Sequence, residues 1–160
     1  MELKTIRFGM VEIDESKILS FPNGLPGLED NRRFALLNFE DSFPLFWLQA
    51  VDDEGVCLPV INSFMAFKGY AFDIDDADCA ELKIENPGDV QVMSVVVIPE
   101  DIEKMTANLA APIIVNTESG LAKQIILGGA ELGIRVPVFA EVCRLIREVG
   151  ANADTVAESE

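Results

Sequence analysis

The chain is built from short runs of β-branched, aliphatic and aromatic residues, each cut off by glycine, proline or an acidic turn. "VQVMSVVVIP" at 90–99 is the clearest: Val and Ile dominate and Pro99 stops it. "RFALLNF" at 33–39 and "LFWLQAV" at 45–51 read the same way, and weaker strands fall at 3–8, 11–13, 17–21 and 57–61. "NLAAPIIVNT" at 108–117 and "AKQIIL" at 122–127 flank the turn "ESG", which predicts a hairpin. Pro59 lacks an N–H for a ladder, so 57–61 is expected at an edge or a bulge. Many short strands with Gly/Pro turns predict a mainly β fold, a small β-barrel-like single domain. Two helices are expected. A short internal one at 75–84 opens on Asp, a good N-cap. A C-terminal one covers 136–150, where Phe139, Val142, Leu145, Ile146 and Val149 recur at helical spacing and Gly150 marks the stop. The domain therefore spans 1–150, and 151–160 is expected to be a polar tail that frays.

The tightest backbone punctuation is "LSFPNGLPGLED" at 19–30. Gly24-Leu25-Pro26-Gly27 spells the GxxG of RNA-clamping KH loops, but Pro26 removes a donor and Glu29 and Asp30 oppose phosphate. A KH loop also joins helices, whereas a strand precedes this one. The stretch reads as a rigid corner, with Gly24 or Gly27 at positive φ and Leu25 and Leu28 pinned to the core.

Charge and residue usage narrow the chemistry. The net charge is −16, with few scattered cations, so the chain repels nucleic acid and suits a basic protein partner. It has no histidine, which removes Ser-His-Asp and Cys-His nucleophiles and most catalytic zinc sites. Carboxylate, lysine or tyrosine chemistry stays open, and a small carboxylate enzyme in a barrel mouth, or a ligand-binding β-barrel, is the alternative to a protein that binds protein partners. Cys57, Cys79 and Cys143 lie far apart and are odd in number, so reduced thiols are expected rather than a disulfide frame. "GGAELG" at 128–133 lacks the spacing of a nucleotide loop and reads as a connection. No apolar run is long enough for a bilayer, and "MELKTIRFGMVEIDE" lacks the apolar core of a secretion signal, so the protein is expected in the cytoplasm.

"DIDDAD" at 73–78 sets four carboxylates beside the aromatics of "NSFMAFKGYAF". A calcium loop would need acids at alternating positions and then a glycine, but position 77 is Ala and no glycine follows at the right place; a helix start or a docking surface fits better. Alternation puts Tyr70 and Phe72 on one face of a strand and Ala71 and Asp73 on the other. The candidate partner-binding residues are therefore Tyr70, Phe72, Asp73, Asp75 and Asp76. No catalytic or metal-ligating residue and no cofactor is assigned. Trp47 shares one strand face with Leu45 and Gln49 and is expected in the core.

The stretches "FGMVEIDESKILSFPNGLPGLED", "FPLFWLQAVD", "FKGYAFDID", "MTANLAAPIIVN" and "KQIIL", in this order, resemble the FliW family of bacterial flagellar assembly factors over residues 3–127. The resemblance implies a β-barrel-like protein without catalytic activity. It also implies two protein partners: flagellin, and the RNA-binding translational repressor CsrA, which members bind and antagonise so that flagellin synthesis is relieved. No direct nucleic-acid or membrane contact is implied. Members often carry an acidic residue where Ala71 stands, a role that Asp73, Asp75 and Asp76 would share here.

Overall fold

The computed structural model describes residues 1–127 and 133–159, with side chains as far as residue 150. Its strands are β1 (Glu2–Thr5), β2 (Gly9–Glu12), β3 (Leu19–Ser20), β4 (Arg33–Leu37), β5 (Leu45–Ala50) and β6 (Cys57–Asn62), followed by β7 (Val90–Val97), β8 (Thr106–Ala107), β9 (Ile113–Asn116), β10 (Ala122–Gln124) and β11 (Val136–Pro137). The helices are α1 (Ser63–Ala66), α2 (Asp76–Glu81) and α3 (Phe139–Ser159). The main sheet runs β10-β9-β7-β6-β5-β4-β3, with β8 paired to β7 and β11 to β8; β1 and β2 form a separate hairpin. All named strand pairs are antiparallel.

The expected mainly β domain is observed, and its barrel character is partial. The ladder does not close. The two ends of the strand path meet through one parallel bridge between Ser20 and Leu121, where the Ser20 N–H donates to the Gly120 carbonyl at 2.7 Å. Period-2 alternation makes the sheet two-faced. Phe34, Leu48, Ala50, Val60, Met93, Ile113 and Val115 fill the inner face together with Phe21 and Leu25. On the opposite face the β1–β2 hairpin lays Leu3 over Ala35, Leu37 and Trp47, and α3 covers Leu45, Ile61 and Val96. Trp47 is buried as expected, edge-on to Phe8 with the Arg7 guanidinium 4.7 Å from its ring centroid. Gln49 shares that face and is fully buried; its amide donates to the carbonyls of Ala50, Asp53 and Glu54 and so holds the β5–β6 turn.

The corner is two turns in series. The Gly24 N–H donates to the Phe21 carbonyl at 2.9 Å, and the Leu28 N–H to the Leu25 carbonyl at 2.8 Å. Both glycines have positive φ, +68° and +83°. Pro26 and Gly27 hold the two central places of a turn that requires positive φ at the second. Phe21 is fully buried edge-on to Phe34, and Leu25 is buried beside it, so the corner is bolted into the core. It joins β3 to β4, not two helices. The Gly27 N–H donates to the Glu29 carboxylate at 3.0 Å, which lowers the pKa of that carboxyl.

Several elements differ from the sequence reading. The stretch 17–21 is a strand only at Leu19–Ser20, because Glu15–Lys17 winds into a 3₁₀ turn capped by Asp14. Residues 108–112 are not strand: the Asn108 side chain accepts from the N–H groups of Ala110 and Ala111 and bends the chain before β9. β6 is an inner strand, yet its ladder to β7 starts only at Val60, so at Pro59 the strand has β5 as its partner. Helix α1 has no counterpart among the expected elements; the Asn62 side chain caps it by accepting from the N–H groups of Phe64 and Met65. Val136–Pro137 is β11, and α3 runs from Phe139 through Gly150 to Ser159. Glycine permits a stop but does not impose one, and the alanines after it favour helix. Phe139, Val142 and Leu145 pack inward, whereas Ile146 and Val149 are 50% and 49% exposed. The loop reading of 128–133 falls almost wholly outside the described residues.

Candidate protein-docking surface

The connection between β6 and β7 carries α1 and α2, and every candidate residue lies on it. Residues 71–75 have no regular secondary structure, so the expected strand is absent. The alternation persists nonetheless: Tyr70 is buried, Phe72 and Ile74 are half-buried, and Ala71, Asp73 and Asp75 are exposed. An extended segment lying on a core alternates whether or not it pairs with a neighbour.

Tyr70 is the anchor. Its hydroxyl donates to the Leu109 carbonyl at 2.7 Å, and its ring packs with Leu82, Val92, Ile114 and Ile125. Phe64, Tyr70 and Phe72 form an aromatic cluster with centroids 5.4 to 6.2 Å apart. The cluster runs from buried Tyr70 to Phe64, which is 48% exposed. Phe64, Phe72, Ile74, Cys79 and Ile84 line a groove of about 390 Å³ with Asp73 on its rim.

Burial pushes the Tyr70 phenol up to about 12. Its ordinary value is about 10, so between those pH values the folded chain holds a proton that the unfolded chain has lost. The stabilisation is complete below pH ~10 and falls as pH rises toward 12. Tyr70 is the single tyrosine, so phenolate absorbance reports it alone. Tyr70→Phe is expected to lose about 1 kcal/mol at neutral pH with the hydrogen bond to Leu109. The difference between wild type and variant should then shrink above pH ~10. A folded-state phenol titrating at its ordinary value would mean that Tyr70 is not the anchor.

The four carboxylates divide by role. Asp75 caps α2, accepting from the Asp78 N–H at 2.8 Å. Asp78 and Glu81 both pair with Lys123 on β10, and those two hydrogen bonds, Asp78 first, raise the pKa of the lysine. Asp73 and Asp76 are exposed and have no hydrogen-bond or ion-pair partner among the described residues. The five predicted residues thus lie together but do unlike work. Tyr70 and Asp75 hold the segment in place, and Phe72, Asp73 and Asp76 present it.

The far end of α2 depends on residues that the sequence reading did not select. Lys83 has φ +56°; its N–H donates to the Ala80 carbonyl, and the Ile84 N–H to the Cys79 carbonyl at 2.9 Å. This is a Schellman stop with lysine in the place usually held by glycine. The Asn116 amide on β9 donates to the carbonyls of Leu82 and Lys83 at 2.8 and 3.0 Å, tying α2 to the sheet. Arg144 of α3 similarly donates to the Met65 and Ala66 carbonyls at the end of α1. No spacing signal in the sequence links these partners, because they are 33 or more residues apart.

Fold and surface together define a single-domain, open antiparallel sheet with a helical crossover that displays aromatic and acidic side chains. The family model for the FliW protein matches residues 2–138. A flagellar assembly factor FliW from Bacillus velezensis is 46% identical over 130 residues, covering 81% of this chain and 91% of that protein. The Bacillus subtilis factor of the same name is 36% identical over 143 residues, 89% of this chain and 100% of that protein. A crystal structure of the flagellar assembly factor FliW superposes with a TM-score of 0.81 at 31% identity, covering 87% of this chain and 97% of that one. The chain belongs to the FliW family. Among the described residues, no helix is long and apolar enough to cross a membrane.

Proposed function

We propose that this protein is a flagellar assembly factor of the cytoplasm. It binds flagellin and the RNA-binding repressor CsrA, performs no chemistry of its own, and relieves repression of flagellin synthesis by occupying the repressor. The observation that carries this reading is the family match over residues 2–138, with curated relatives named as flagellar assembly factors. The charge of −16 supports it, because a basic RNA-binding protein is drawn to such a surface and an acid bound near its RNA face opposes RNA. Within that surface, the 70–76 segment with the neighbouring Phe64 of α1 is the proposed contact: Phe72 and Phe64 supply apolar area, and Asp73 and Asp76 supply unpaired charge.

The test is Asp73→Lys combined with Asp76→Lys. Two reversed rim charges should slow association with the repressor by about tenfold at low salt, an effect that added salt erodes. Neither carboxylate supports another group, so the thermal midpoint should stay close to wild type, within about 0.5 kcal/mol per site. Unchanged affinity in the folded variant would move the contact away from this segment, with α3 as the next surface to probe. Loss of the fold would make these acids structural.

A further inference from the structure

The main sheet is missing part of a strand. β3 lies beside β4 only at Leu19–Phe34 and Ser20–Arg33, because Glu15–Lys17 leaves the ladder in its 3₁₀ turn. The Arg33 carbonyl accepts from Val51, so Arg33, Ala35 and Leu37 turn their backbone groups toward β5. Leu36, and by continuation Asn38, turn theirs toward the space that a longer β3 would fill. Among the described residues no turn or loop hydrogen bond reaches the backbone groups of either.

Two cavities flank this vacancy and share Leu36 and Lys17. One, of about 240 Å³, lies between Val11–Asp14 and Ala35–Phe39. The other, of about 310 Å³, is lined by Leu19, Gln91, Val115, Thr117 and Glu118. Successive side chains of a strand point to opposite faces, so an added strand would need a recess on each. The recesses carry Asp14 and Glu118 against Lys17, and Glu12, already paired with the Met1 ammonium at 2.8 Å, adds no net charge there. A second copy of a chain charged −16 is electrostatically disfavoured there.

We infer that the open edge of β4 between Ala35 and Phe39 is a strand-addition site for an extended, cationic segment of a protein partner. Leu36 and Asn38 supply the main-chain hydrogen bonds, and the two recesses take alternate side chains. The site is separate from the 70–76 surface and stands whether or not that surface binds the repressor.

The test titrates the full chain with the synthetic peptide Lys-Val-Lys-Val-Lys-Val-Lys, followed by NMR and amide exchange at physiological salt. The Leu36 and Asn38 amides should exchange at least about tenfold more slowly when the peptide is bound, while Phe34, already facing β3, does not change. The same peptide with every backbone nitrogen methylated keeps its charge, cannot donate to the edge in either register, and should bind about tenfold more weakly. Asn38→Pro removes one edge donor outside the β5 ladder and should weaken the valine peptide to a similar degree, with circular dichroism confirming the fold. Asp73→Lys with Asp76→Lys should leave binding within about threefold. No binding, equal binding of the two peptides, or binding without protection at Leu36 and Asn38 overturns the inference. Sedimentation as a dimer through this edge also overturns it, since a second copy would then be the occupant.

Discussion

Gly24→Ala is expected to cost about 3 kcal/mol, and Gly27→Ala, three residues on, only about 1 kcal/mol. Both glycines have positive φ, which alone penalises a side chain. The surroundings separate them. A Cβ on Gly24 would lie 2.8 Å from the Glu29 Cα and 3.0 Å from the Glu29 carbonyl oxygen, both backbone atoms. A Cβ on Gly27 meets nothing within 4 Å. Relief at position 24 requires the turn from Leu25 to Leu28 to move, and Leu25 and Phe21 are core residues, so strain there reaches the inner face of the sheet. Urea unfolding of the two variants measures the difference. Equal midpoints would show that the corner yields as a unit and is not bolted to the core.

Asn116→Ala should cost about 3 kcal/mol as well, through lost hydrogen bonds and not through sterics. Asn116 is 3% exposed. Its amide nitrogen serves the Leu82 and Lys83 carbonyls, and its oxygen accepts from the N–H groups of Glu118 and Ser119 at 3.0 and 3.3 Å. One side chain therefore fixes the end of α2 and the β9–β10 turn together. Asn116→Asp separates the two halves: it keeps acceptors for the turn but sets a carboxylate against two carbonyls. Both variants should loosen α2, seen as faster exchange of the Leu82 and Ile84 amides, and the contact proposed for the 70–76 segment should weaken with it. A variant with native stability and a mobile α2 would show that the tie orients the surface without stabilising the fold.

The strand-rich class, the β9–β10 hairpin, the corner and the buried face of Trp47 were legible because each rests on local rules. Alternation, β-branched runs and turn residues act over a few positions. The same locality explains the misreadings. Asn108 and the turn at Glu15–Lys17 break strands by side-chain capping that a run of apolar residues conceals. Gly150 gave a stop signal that the helix-favouring residues after it overrode. Lys83 ends α2 at positive φ, a conformation that nothing in its identity announces.

Residue order puts the candidate residues on one segment, and contacts from distant elements set what each of them does there. Composition and spacing place aromatics and acids together at 70–78, but they cannot say that Tyr70 reaches Leu109, that Asp75 is spent on a cap, or that Asp78 is spent on Lys123.

By itself the sequence determined the strand-based class, the acidic surface, the rigid corner and the family, since each follows from residue identity and near-neighbour order. Tertiary structure alone decided how far the sheet closes, which carboxylates remain free, and where a strand is missing from its edge. Those depend on contacts between residues tens of positions apart. Their pairing is fixed by how the whole core packs, and no local pattern encodes it.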